Sequence, residues 1–95
     1  MSAYVFVEIN IYDQELYDEY KKMTPDSVRK FGGKFVVRGG LAVNLEGNWN
    51  PERIVVLKFD SVEKAKEWWE SEEYTRARII RQRAAETKMI ILEGV

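Results

Sequence analysis

The chain has 95 residues, 45% of them hydrophobic and 33% charged, with a formal net charge of −1. That balance describes one modest folded domain, with no general attraction to nucleic acid or acidic membranes. Cysteine and histidine are both absent, which excludes a disulfide framework, a thiolate nucleophile, a Ser-His-Asp triad and any His- or Cys-ligated metal or haem.

Tyr4 to Ile11 reads as a strand that is apolar on both faces. Val5, Val7, Ile9 and Ile11 form one row, and Tyr4 and Phe6 start the other. Asp13 can cap a helix whose apolar side is Leu16, Tyr17, Tyr20 and Met23. Thr24-Pro25 looks like a fresh cap followed by proline at a first helical position, so the helix is expected to break or kink near Met23. Val28 and Phe31 follow before Gly32-Gly33 ends it. Lys34 to Arg38 begins a second strand. Gly39-Gly40 interrupts it as a bulge, a bend or a close backbone approach, and Leu41 to Glu46 resumes the apolar pattern. Gly47 to Pro51, holding Trp49, turns the chain into a third strand, Arg53 to Phe59. Ser61 caps a helix carrying Val62, Ala65, Trp68 and Trp69. Ser71 restarts a helix through Tyr74, Ala77, Arg78, Arg81 and Ala84, and Lys88 to Glu93 forms the last strand.

The order strand, helix, strand, strand, helix, strand predicts one domain over residues 1–95: an α+β, ferredoxin-like sandwich. Its four-stranded, mainly antiparallel sheet carries the helices on one face. The first and third strands are expected to be parallel neighbours. The other face is also apolar, through Phe6, Val36, Ile54, Val56 and Ile91, and so predicts a homodimer. No apolar run approaches the ~20 residues of a membrane span, and no signal peptide is visible, so the expected compartment is the cytoplasm.

The charges within strands narrow the search for a site. By parity, Glu8, Arg38, Lys58 and Glu93 fall on the helix-free face. If Glu46 pairs near Arg53, then Glu8, Arg38 and Lys58 converge at one end, with Glu93 near Arg53 at the other. Such a group reads either as a satisfied ion network or as a pocket for a small anionic or carbonyl-bearing ligand. In the second case Arg38, Gly39, Gly40, Lys58, Trp49 and Arg53 bind the ligand, and Glu8 and Arg38 are the catalytic candidates. Arg76, Arg78, Arg81 and Arg83 read as a solvated, ion-paired helix face. Gly33-Lys34-Phe35-Val36-Val37 faintly echoes an RNA-recognition signature but lacks its stacking aromatics, so no nucleic-acid partner is expected. Neither a metal nor a cofactor is expected.

Several landmarks carry a family likeness: Tyr17-Asp18-Glu19-Tyr20, Gly32-Gly33-Lys34-Phe35-Val36-Val37-Arg38-Gly39-Gly40, Leu45-Glu46-Gly47-Asn48-Trp49, Pro51-Glu52-Arg53, Phe59-Asp60-Ser61, Ser71-Glu72-Glu73-Tyr74 and Leu92-Glu93-Gly94-Val95. In these the chain resembles the domain of unknown function 1330 family, within the dimeric α/β-barrel superfamily. The resemblance implies a ferredoxin-like fold whose sheets face each other across a homodimer. It implies no particular reaction. The wider superfamily includes cofactor-free monooxygenases, small isomerases and haem-degrading proteins, the last disfavoured by the missing histidine. Two functional readings follow: a homodimeric small-molecule-binding module, or a cofactor-independent enzyme, monooxygenase- or isomerase-like, acting on a small aromatic or carbonyl metabolite.

Overall fold

A computed structural model describes residues 1–95. Alternating side chains make β1 (Ala3–Ile11) the inner strand on which the core is built: Ala3, Val5, Val7 and Ile9 are buried on one side of it. Asp13 caps α1 (Gln14–Lys30) by accepting the Leu16 N–H. β2 (Lys34–Arg38) and β3 (Arg53–Phe59) follow. Then come α2 (Val62–Glu70), α3 (Glu72–Ala84) and β4 (Ala85–Glu93). Ser71 serves both helices at their junction, its Oγ donating to Trp68 O and accepting the Tyr74 N–H. The sheet order is β2-β3-β1-β4 with every pair antiparallel. This is the ferredoxin-like α+β fold, with the helices on one face.

Strand direction differs from expectation in one consequential place. β1 and β3 run antiparallel, pairing Tyr4 with Lys58 and Glu8 with Ile54. The crossover through α1 makes β2 parallel to β1, but β3 lies between them and turns back, so it opposes both. Lys58 therefore sits beside Tyr4, about 13 Å along the strand from Glu8 at ~3.3 Å per residue.

Parity also changes within β2. Phe35 pairs with Leu57, yet Val37 pairs with Val56 and Arg38 with Val55, so Val36 is the extra residue of a β-bulge. A bulge moves every later side chain to the other face. Arg38 thereby joins the helix side. In β4 the helix-side row is Ala85, Thr87, Met89, Ile91 and Glu93, since Ile91 opposes buried Val5. Ile90 and Leu92, 55% and 47% exposed, take the open face instead of Ile91. Glu93 opposes Ala3, at the far end of the sheet from Arg53, which opposes Ile9. β4 begins at Ala85 rather than Lys88. Residues 39–52 form no strand, so the expected continuation through Leu41 to Glu46 is absent.

α1 does not break at Met23. It runs through Pro25, whose ring removes the N–H that would bond to the carbonyl of Lys21. Packing offsets that loss. Thr24, Ser27 and Val28 are buried against the sheet side, and Thr24 Oγ1 donates to Tyr20 O at 2.8 Å. The freed Lys21 carbonyl accepts Arg38 Nη2 at 2.9 Å. Pro25→Ala is expected to stabilise the fold by about 2 kcal/mol, the helix-propensity gain of ~3 kcal/mol less the entropy of up to ~1 kcal/mol returned to the unfolded chain. A higher denaturant midpoint with unchanged slope is the measurement that checks it.

The core joins sheet and helices through aromatic rings. Trp68 stacks against Tyr74 with centroids 4.0 Å apart and against Phe59 at 5.4 Å. Gly33 leaves room for Phe59, since a Cβ there would lie 2.5 Å from the ring.

Candidate functional site

Glu8, Arg38 and Lys58 do not converge. Glu8 projects from the helix-free face, where its Oε2 accepts the Trp49 indole N–H at 3.2 Å. Lys58 lies on that same face beside Tyr4, at the opposite end from Glu8's neighbour Ile54. Arg38 lies on the other face, bonded to α1 and stacked 4.3 Å over the Phe35 ring. The sheet itself separates Arg38 from Glu8, so within one protomer the two cannot act on one substrate atom. The cause is the bulge at Val36, which leaves no mark in strand periodicity.

The sequence-derived residues divide into two groups. Gly40 and Trp49 line an apolar groove of about 490 Å³ on the open face, with Phe6, Val37, Leu41 and Ile54. Trp49 packs 6.4 Å from Phe6, centroid to centroid. Arg38, Gly39 and Arg53 meet on the helix side where α1 crosses β2 and β3. Arg53 Nε donates to Tyr17 Oη at 3.2 Å, and its guanidinium lies 5.6 Å from that ring's centre. Gly39 has a φ of +72° and its N–H bonds to Ile54 O at 2.9 Å. A side chain there would collide with the Arg53 guanidinium, so glycine is required by conformation and by space. Burial raises the pKa of the Tyr17 phenol, and Arg53 partly offsets the rise. Tyr17 consequently stays protonated and accepts from Arg53 as a hydroxyl.

A third cavity escapes the sequence reading. Between α2, α3 and β4 lies a cleft of about 480 Å³, walled by Val5, Trp68, Trp69, Met89 and Ile91. Arg81, Gln82 and Thr87 bring polar groups to it. Arg81 is only 4% exposed. Its Nε donates to Tyr74 Oη at 3.3 Å, and Tyr74 Oη pairs with Tyr20 Oη at 2.9 Å. Arg81 belongs to none of the ion pairs, and neither Nη has a hydrogen-bond partner in the protein. The Arg81 Nη groups are not sealed from the cleft, whereas Thr87 Oγ1 is buried without a partner. Burial, then the neighbouring Tyr74 hydroxyl, holds the Tyr20 pKa well above its ordinary value, so the Tyr20 hydroxyl keeps its proton.

Arg81 therefore leaves the solvated basic face assigned to it. The missed signal was helical spacing: Tyr74, Ala77, Arg81 and Ala84 recur every three or four residues and form the buried side of α3. Arg78 is the more peripheral cation, stacked 4.0 Å over Trp69.

Taken with these cavities, the fold defines a class: ferredoxin-like α+β domains with an open sheet face and a cleft beneath the helices. The chain belongs to the family described as domain of unknown function (DUF1330), whose model matches residues 2–95. Its architecture is similar to a protein of unknown function from Rhodopseudomonas palustris, at 18% identity over 99% of this chain and 82% of that one, TM-score 0.76. It is also similar to a dimeric protein of unknown function and ferredoxin-like fold from Bacteroides fragilis, at 16% identity over 98% of this chain and 96% of that one, TM-score 0.65. A cofactor-independent oxygenase from Streptomyces nogalater shares the fold at 6% identity over 99% of this chain and 93% of that one, TM-score 0.67. No curated protein matches the chain. No helix is long and apolar enough to cross a membrane.

Proposed function

We propose that this chain is a homodimeric small-molecule-binding protein. Its ligand is an apolar or aromatic molecule bearing one anionic or carbonyl oxygen, held in the cleft between α2, α3 and β4. One observation carries the reading: Arg81, 4% exposed and without a carboxylate partner, borders an apolar cleft. Arginine keeps its charge, and a guanidinium with free N–H groups in the wall of an apolar cleft is a ready partner for a ligand oxygen. Here the protein supplies only a tyrosine hydroxyl and, 5.9 Å away, the face of Tyr20. A ligand oxygen completes the guanidinium, Thr87 Oγ1 offers a second donor, and the two indoles wall the apolar body. The cleft volume of about 480 Å³ falls in the range of small-ligand sites.

The dimer is motivated by the open face. Ile90, Leu92 and Val36 are 47–55% exposed there, and Leu41 and Leu45 on the adjoining segment are each 93% exposed. Contiguous apolar surface of this kind marks an interface. The Bacteroides fragilis neighbour, described as dimeric, supports association as a dimer.

The enzymatic alternative loses the Arg38–Glu8 pair on which it was built. Tyr20 and Tyr74 do not line the cleft, and burial holds the Tyr20 hydroxyl protonated, so it offers no proton acceptor to a ligand there. Binding is the better supported reading.

Arg81→Met tests it. Tyr74 keeps Tyr20 as a partner, so the substitution removes the charge at the cleft wall without orphaning a hydroxyl, and stability should change by less than about 1 kcal/mol or rise. Fluorescence titration with 1-anilinonaphthalene-8-sulfonate, an aromatic sulfonate, should show saturable binding that weakens about tenfold or more in the variant. A neutral naphthylamine should bind both proteins alike. Equal sulfonate affinity in the two proteins rejects the site.

A further inference from the structure

Arg38, Gly39 and Arg53, singled out by the sequence and left over by the cleft, lie in a groove of different character. We propose that this groove, where α1 crosses β2 and β3, is a second binding site, for a multiply charged oxyanion. Its lining is wholly polar: Lys21, Lys22, Arg38 and Arg53 against one carboxylate, Asp18. None of the four cations belongs to an ion pair. Asp18 is itself engaged, its Oδ1 accepting Gln14 Nε2 at 2.9 Å. Four like charges crowded together repel one another, and folding alone gains nothing from that arrangement.

The two guanidiniums are held in place before any ligand arrives. Arg38 is oriented by the Lys21 carbonyl, which is free because Pro25 has no N–H to fill it. Phe35 supports the same guanidinium from below, 4.3 Å away. Arg53 is oriented through Nε by Tyr17 and seated in the space left by Gly39. In both cases the fixing contact uses one nitrogen and leaves other N–H groups for a partner. Planar forks fixed in advance bind carboxylate and phosphate oxygens at low entropic cost. Lys21 and Lys22 add mobile point charges at the rim. The site is independent of the Arg81 cleft, which lies across the core beside β4.

Isothermal titration of the full chain with pyrophosphate and, separately, with citrate tests the proposal. Saturable binding of either is expected, weakening with added salt. The anion that binds more tightly tells phosphate from carboxylate chemistry. Lys21→Ala with Lys22→Ala should weaken binding about tenfold or more and flatten the salt dependence, whereas Lys21→Arg with Lys22→Arg should retain it. Pro25→Ala separates binding from stability. It returns an N–H to the Lys21 carbonyl in competition with Arg38, and should weaken anion binding several-fold while the protein becomes more stable. No saturable binding of either anion overturns the proposal. So does affinity unchanged by removing the two lysines, or affinity that merely follows stability in the proline variant.

Discussion

Trp68→Ala is expected to cost about 3–5 kcal/mol, a large share of the roughly 5–15 kcal/mol that holds a domain together. The side chain is 1% exposed and touches both layers of the fold. Its ring lies 4.0 Å from Tyr74 on α3 and 5.4 Å from Phe59 on β3, centroid to centroid. Its indole N–H donates to Ser27 Oγ on α1 at 3.1 Å. Removing the ring leaves a cavity between elements with little freedom to collapse, since each is fixed elsewhere by strand pairing or caps. Trp68→Phe should cost less than half as much, because it keeps most of the buried area and gives up the hydrogen bond to Ser27. Denaturant titration of both variants checks the order. A loss under about 1 kcal/mol for the alanine variant would mean that this aromatic junction does not organise the core.

Val56→Glu should convert the expected dimer into monomers. Val56 lies on the helix-free side of β3, opposite Phe6 on β1 and Val37 on β2. A two-fold interface buries the same patch from each chain, so one substitution places two carboxylates in it. At about 3 kcal/mol per unpaired buried charge the pair costs roughly 6 kcal/mol, or about 10⁴-fold in the dissociation constant. Sedimentation equilibrium should show the parent at twice the chain mass and the variant at the chain mass. Lys66→Glu, on the exposed side of α2, is the control and should leave association unchanged. A parent that sediments as a folded monomer, or a variant that still dimerises, removes the interface from this face.

The two proposed sites differ in how much of them the sequence reveals. Arg38, Gly39 and Arg53 announce themselves by type and place: a charge within an apolar strand, a glycine pair after it, and a charge opening the next strand. Their assembly on one side is invisible, because it depends on the single extra residue at Val36. The partner that orients Arg38 is less visible still. Pro25 reads in sequence as a helix break, yet it sits within α1 and exposes the Lys21 carbonyl that Arg38 reaches. Arg81 shows the reverse failure. Its company of three other arginines argues for solvent, but its spacing marks it as buried, and the structure follows the spacing.

By itself the sequence determined the order of strands and helices and the two-layer architecture, because those follow from local regularities: alternation in strands, three-to-four spacing in helices, and caps at Asp13, Ser61 and Ser71. It also determined the chemistry that is out of reach, through the absence of histidine and cysteine. Only the tertiary structure decided strand direction, the face on which each charge falls, and the continuity of α1. Each of these rests on contacts between residues far apart in the chain. A strand with apolar residues on both sides carries no internal mark of which side the helices will cover. One bulged residue reverses every assignment after it, and a proline is tolerated in a helix when neighbouring elements bury its flanks and employ the carbonyl it frees.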